Sequence, residues 1–187
     1  MRFGRNMNIF FLHREPRIAA EQHCDKHVVK MIVEYSQLLS TAHRILDGTE
    51  YVGKTANGRS IKRWSLPDDR EQNLCLACHI NHPSAIWTRS NIDHYRWLHD
   101  LLYFLIGEYK YRYNDKVHKT EERMPWLLDA PRNIPIVDWS DPPPAMKLYP
   151  QCIVPGDSIQ SYRNYYLDAK KHFAKWKRRG EPDWWIP

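Results

Sequence analysis

The stretch "AAEQHCDKHVVKMIVEYSQLLSTAHRIL" (residues 19–46) decides the fold. It holds no Pro or Gly, and its apolar residues recur at three- and four-residue steps, the period of an amphipathic helix. On a wheel of about 100° per residue, Val28, Met31, Ile32, Tyr35, Leu38, Leu39, Ala42 and Leu46 form one broad apolar sector. His23, His27, Lys30, Glu34, Gln37 and Thr41 fall within a polar sector of about 80° beside it. The far flank holds Val29, Val33, Ser36 and Ser40, which are small or apolar. A solvated strip of this length usually alternates carboxylates and amines. This one mixes imidazole, amine, carboxylate and amide, the acid–base and hydrogen-bonding types. It reads as a buried helix showing one narrow polar strip to a pocket; a plain solvated face is the alternative.

Working outward, "MNIFFL" (7–12) reads as a short strand, and Pro16 suits the first turn of a helix over 17–46 that Asp47-Gly48 ends. Residues 48–69, with Gly53, Gly58 and Pro67, read as a mobile connection. A short helix is expected over 69–80, broken by "NHPS", because a proline disfavours helical geometry in the residue before it. A long helix follows over 84–113, its face made by Ile86, Trp97, Leu98, Leu101, Leu102, Leu105 and Tyr109. Eight prolines fall in 114–156, so that segment reads as irregular chain held down by Trp126, Ile134, Trp139 and Tyr149. A last helix starts at Asp157-Ser158 and runs to about Arg179. The expected fold is mainly α: one helical-bundle domain over 1–187 with a long Pro-rich irregular segment at 114–156. Residues 1–6 read as an extension if Met7 rather than Met1 is the native start.

The 187 residues suffice for one core and are short for two. The formal charge of +6 favours a polyanionic partner: DNA, RNA, nucleotides or an anionic membrane. Eight Trp and eleven Tyr provide faces on which bases stack. No apolar run is long enough to span a membrane, and no cleavage site follows the short basic lead. Four cysteines are too few for a secreted disulfide framework, so a reducing cytoplasm is expected. The oligomeric state is left open.

Two further constellations carry chemistry. "CLACHINHP" would put Cys75, Cys78 and His79 on one helical face, with His82 just past the break. Those four could hold zinc, although the spacing lacks two separated ligand pairs, and no cofactor is the simpler expectation. Buried cysteines acting as small hydrophobes are the ordinary alternative. The basic aromatic helix "SYRNYYLDAKKHFAKWKRRG" offers Tyr162, Arg163 and a lysine cluster to phosphates, or is simply a solvated amphipathic helix.

Taken in order, "MNIFFL", "HCDKHVVKMIVEYSQLLSTAHRILDG", "NHPSAIW", "EYKYRYNDKVHK", "PPPAM" and "SYRNYYLDAKKHFAKW" resemble a family of small phage proteins. The D-K-H-x-x-K-x-x-x-E helix followed by N-H-P-x-x-x-W is also similar, more distantly, to pyrimidine-dimer DNA glycosylases of the endonuclease V-like type. The resemblance implies a small, basic, helical enzyme of a phage-infected cytoplasm that cuts the glycosidic bond of a damaged pyrimidine. Cleavage of the abasic strand by an AP-lyase step follows in some of its members. It also implies an amine nucleophile that forms a Schiff base at C1′, with a carboxylate to assist. The α-amine is the usual nucleophile, but Arg2 or Asn8 would follow the start here, and neither is small enough for efficient Met removal. A side-chain route makes Lys30 the amine, lowered by burial and by Lys26, with Glu34 the carboxylate one turn away. A hydrolytic route has Glu34 or Asp25 activate water, with His27 as acid or base. His23, Lys26, Gln37, Asn81, His82, Trp87 and Arg89 would line the substrate pocket. The other readings are a transferase or nucleotide-processing enzyme for modified pyrimidines, and a non-enzymatic DNA-binding or host-interaction protein.

Overall fold

The computed structural model describes residues 7–186; residues 1–6, and with them the choice between Met1 and Met7 as start, lie outside the described residues. In chain order come α1 (Pro16–Gln22), α2 (Asp25–Asp47), β1 (Thr49–Lys54), β2 (Ser60–Ser65), α3 (Arg70–Asn73), α4 (Pro83–Ser90), α5 (Ile92–Arg112), α6 (Met124–Leu127) and α7 (Ser158–Tyr165). The chain is mainly α, and no helix among the described residues is long and apolar enough to cross a membrane. The α2–α5 pair is the frame, with α1 and α4 packed on it. Leu38, Leu39, Leu98, Leu101 and Leu105 are all buried between or beside these helices.

The segment 7–12 threads this frame with no strand partner among the described residues. Ile9, Phe11 and Leu12 have no exposed surface. Buried backbone must still find hydrogen bonds, and side chains supply them. Tyr35 Oη accepts from Phe10 N (3.1 Å), Ser84 Oγ donates to Met7 O (3.1 Å), and Arg163 Nε donates to Leu12 O (3.1 Å). Its apolar run is therefore a core element, not the strand expected from sequence.

The helix expected over 17–46 is two helices. At His23 and Cys24 the backbone turns extended, with ψ of 131° and 159°. Tertiary partners make the break favourable. The His23 ring donates to Ala19 O (2.6 Å), and the fully buried Arg112 donates to the carbonyls of Glu21 and His23 (both 2.8 Å). α2 ends at Gly48 as expected, but not through a left-handed residue: a Cβ there would lie 2.4 Å from Arg44 O, so close approach demands the glycine.

Four other boundaries move. The connection 48–69 is an antiparallel hairpin, Thr49 opposite Ser65 and Lys54 opposite Ser60, turning at Gly58 with φ +79°. The helix expected over 69–80 stops at Asn73. The following loop is bolted to α2 by Arg44, whose guanidinium donates to Trp64 O, Cys75 O, Leu74 O, Glu71 O and the Glu71 carboxylate (2.6–3.1 Å). The helix expected over 84–113 is split at Asn91, whose side chain accepts from Asp93 N (3.3 Å) and caps α5. The last helix passes into a π turn at Tyr166–Lys170 and ends. The basic tail then folds back on α1 and α5. Trp176 Nε1 donates to Gln22 O (2.9 Å), Lys177 N to the Asp25 carboxylate (2.9 and 3.0 Å), and Arg179 to Glu108 (2.5 Å). The Pro-rich segment is irregular, apart from α6 and the 3-10 turns Lys119–Arg123 and Pro150–Cys152.

Candidate active-site cleft

The middle of the polar line on α2 faces a cleft of about 490 Å³. Lys30, Glu34 and Gln37 line it, with Val29 and Val33 beside them on the helix. The opposite wall comes from Cys78 and His79 of the loop after α3, from His118, and from Met7. Val29 and Val33, which look like packing residues in the sequence, are 40% and 42% exposed because they open onto this space.

Glu34 is the only carboxylate among the lining residues. Its residue exposure is 8%. Oε1 takes the Lys30 ammonium at 3.1 Å, while Oε2 is buried with no hydrogen-bond partner among the described residues. A buried ionised oxygen without a donor is costly, and such groups gather where a ligand completes the set. Lys30 itself is 57% exposed, not buried as the amine route expected. Lys26, expected beside it, turns away, its Nζ 4.6 Å from the centre of the Phe173 ring. The cation near Lys30 is Lys170. Its ammonium donates to Tyr165 Oη (3.1 Å) and sits over that ring, and its pKa is lowered by burial first and by the Lys30 charge.

His79 stands at φ +50°, a left-handed backbone that is uncommon for a residue with a Cβ. The turn it makes accepts His82 N at 2.8 Å. Strain of this kind collects at working sites, and here it places a ring on the cleft wall.

The remaining sequence candidates lie elsewhere. His23 sits at the break before α2, wholly buried, its Nε2 accepting from Tyr35 Oη (2.8 Å). Burial lowers its pKa to about 4, so it is a neutral core ring. His27 is one turn from Lys30 but does not line the cleft. It is stacked on Phe10 at 4.2 Å, and its Nδ1 shares a hydrogen bond with Tyr166 Oη at 2.5 Å. Burial above all holds its pKa well below the ordinary value. Asp25 is committed to Arg112 (3.1 Å) and to the tail at Lys177 N. Asn81 is exposed on the turn before α4. His82 caps α4, its Nδ1 accepting from Ser84 N (3.1 Å), with Pro83 at the first helical position.

Trp87 is stacked on His94 at 4.3 Å and donates to Ser140 O (2.8 Å), so it anchors the Pro-rich segment rather than offering a face to a base. Tyr162 is buried and donates to Pro143 O (2.9 Å), and Arg163 holds Leu12 O. Arg89 is half-buried, with Nη1 unpartnered and its pKa lowered by burial. The zinc set does not assemble. Cys75, Cys78 and His79 are on a loop, not one helical face, and no group of three or more His, Cys, Asp or Glu placed to hold a metal occurs among the described residues. Cys78 is instead a thiol pushed up by burial.

Sequence reading missed Met7, His118 and Lys170 as neighbours of the strip. His118 carried a signal: it lies in "VHKTEE", where its ring caps the 3-10 turn by accepting Thr120 N (3.1 Å). Met7 and Lys170 reach the strip only through the threaded segment and the π turn, which no local pattern announces. In comparisons with known proteins, no family model matches the chain, and neither a curated protein nor a solved structure does.

Proposed function

We propose that the cleft on α2 hydrolyses the glycosidic bond of a pyrimidine nucleoside unit, in DNA or in a nucleotide. The observation that carries this reading is Glu34: a carboxylate at the cleft floor, one oxygen held by Lys30 and the other buried without a donor. Rotation of the Glu34 carboxylate toward the cleft brings Oε2 to a water or sugar hydroxyl, which supplies the missing donor. As the C1′–N bond breaks, its electron pair leaves with the base, and positive charge develops on the sugar. The ionised carboxylate stabilises that charge and takes a proton from the attacking water. The departing base receives its proton from His79 on the facing wall. A cleft of about 490 Å³ falls within the usual range for small-ligand sites.

The hydrolytic route fits better than the imine route. Lys30 is half exposed and ion-paired to Glu34, and its role is to hold Oε1 in place. The test is base release from pyrimidine-damaged duplexes, modified pyrimidine DNA and free pyrimidine nucleotides. Glu34→Gln is expected to lower release by at least about 10²-fold with folding retained, and borohydride is expected to trap no adduct. An adduct lost in Lys30→Ala would assign the imine route instead. Full activity in a folded Glu34→Gln protein, or no release from any substrate, overturns the proposal.

A further inference from the structure

The β1–β2 hairpin stands out from the helices. Tyr51 is 44% exposed and Val52 73%, one on each face of the ribbon, so both faces meet solvent. A two-stranded hairpin has little stability of its own. Burial here is confined to the root, where Trp64 is covered and its carbonyl accepts from Arg44 (2.8 Å). The tip is nonetheless closed: Thr55 N donates to Arg59 O (2.9 Å), and Arg59 N to Thr55 Oγ1 (3.0 Å). Six residues in each strand make an arm about 20 Å long.

Its charge is one-sided in sign. Lys54, Arg59, Lys62 and Arg63 face a single acid, Glu50. Glu50 takes Lys62 at 2.8 Å, so Lys54, Arg59 and Arg63 have no carboxylate partner among the described residues. Charges on exposed strand edges keep other chains from pairing with them, but either sign does that. The register puts Lys54 and Lys62 on the face of Val52, Arg63 on the face of Tyr51, and Arg59 at the turn. A ribbon lying on a membrane or on an acidic protein meets it on one face. Cations on both faces suit a groove walled by phosphates on either side. Gly53 keeps the ribbon thin, because the Arg63 stem lies 3.0 Å from where a Cβ would stand. The major groove of duplex DNA, about 12 Å wide, admits a two-stranded ribbon.

The root is also placed for the cleft. Lys30, Glu34, Gln37, Thr41 and Arg44 succeed one another at three- and four-residue steps, so the cleft and the Arg44 anchor of β2 share one side of α2. From Glu34 to the end of α2 at Asp47 is about 20 Å along the axis. That is the rise of about six base pairs. We propose that the hairpin is an arm that enters the major groove of duplex DNA and holds phosphates with Lys54, Arg59 and Arg63. It thereby makes a base of that duplex, rather than a free nucleotide, the substrate of the cleft. The choice of substrate rests on the glycosidic reading of the cleft; the arm itself does not. Phosphate contacts fix position and carry no sequence preference.

The test is binding of the full chain to a short labelled duplex and its single strand by fluorescence anisotropy, over a range of salt. Co-sedimentation with phosphatidylserine–phosphatidylcholine vesicles is run beside it. Lys54→Ala/Arg59→Ala/Arg63→Ala is expected to keep Tm and lose about tenfold or more in duplex affinity. The slope of log K against log salt is expected to flatten by about 3. Arg59→Ala alone, at the exposed turn, is expected to flatten it by about 1, and decides the matter if the triple variant is unstable. Lys171→Ala/Lys175→Ala/Lys177→Ala, which removes three exposed tail cations, is expected to lose less. No duplex binding by the wild type, binding that survives the hairpin variants, or an equal loss in the tail variant overturns the proposal. So does tighter hairpin-dependent binding of the single strand or of the vesicles. Binding is read without turnover. Hairpin-dependent duplex binding without base release supports the arm and faults the reaction at Glu34; base release from a free nucleotide without duplex binding faults the arm alone.

Discussion

Buried neutral histidines tie stability to acid. His23 and His43 are both held at about pKa 4, chiefly by burial, against an ordinary 6.5. His43 donates from Nε2 to Tyr95 Oη (2.7 Å) and accepts from Arg70 at Nδ1 (2.9 Å), so both nitrogens need the neutral ring. Between pH 6.5 and 4 the unfolded chain binds these protons and the folded chain does not, so stability rises with pH across that window. Each ring contributes about 3 kcal/mol, fully present above pH 6.5 and lost as pH falls to 4. Urea unfolding at pH 7, 5.5 and 4.5 is expected to show this fall, and His43→Gln to make it shallower by about 3 kcal/mol. Glu34 behaves differently. Its ion pair with a half-exposed Lys30 is worth a few tenths of a kcal/mol, while its free buried oxygen costs more as a charge than as an amide. Glu34→Gln is therefore expected to match or exceed wild type in Tm while losing activity, the signature of a group kept for work rather than for folding.

The loop after α3 owes its place to one side chain on α2. Arg44 is 1% exposed and uses all three guanidinium nitrogens on the loop and its neighbours. Arg44→Met keeps the volume but strands four buried carbonyls and Glu71. A loss of about 3–5 kcal/mol is expected in denaturant unfolding. A local readout separates this from general weakening: Cys75 and Cys78 should react with a thiol reagent in the native state much faster than in wild type. Thr41, accepting from Cys78 N (3.2 Å), is the second bolt on that loop. These bonds also explain what was legible in the sequence. The period of residues 25–47 gave α2 and its strip, because a helix read on a wheel needs only its own residues. The helix expected over 69–80 stops at Asn73 because Arg44 and Thr41 offer the following loop's backbone better partners than a helix would. The hairpin was hidden for a different reason. β1 is exposed along nearly its whole length, so it shows no alternation to read.

The basic C-terminal tail closes the molecule and leaves Lys171, Lys175, Lys177 and Arg178 exposed. Trp176 and Trp185 are 6% and 8% exposed, and Arg179 joins Glu108 and Arg112 in one charged knot under α1. Trp176→Ala is expected to cost about 3–5 kcal/mol, measured by urea unfolding, with faster proteolysis near residues 22–25. Its sequence reads as a basic amphipathic helix because lysines outnumber every other residue type in it. The contacts that decide its course lie some 150 positions away and leave no local trace. For the same reason the sequence places Lys30 and Glu34 on one strip but cannot supply the facing wall of the cleft.

The threaded segment 7–12 also sets a timetable. Its buried carbonyl at Leu12 waits for Arg163, 151 positions later, and Gln22 waits for Trp176, 154 positions later. Contacts so distant in sequence slow folding. At about 5–20 residues per second, synthesis takes roughly 8–30 seconds to go from one partner to the other. Throughout that time Ile9, Phe10, Phe11 and Leu12 have no finished core to enter. The nascent chain thus carries this apolar stretch uncovered until Arg163 and Trp176 have been made, and a chaperone that shields "IFFL" during translation would raise the yield of folded protein.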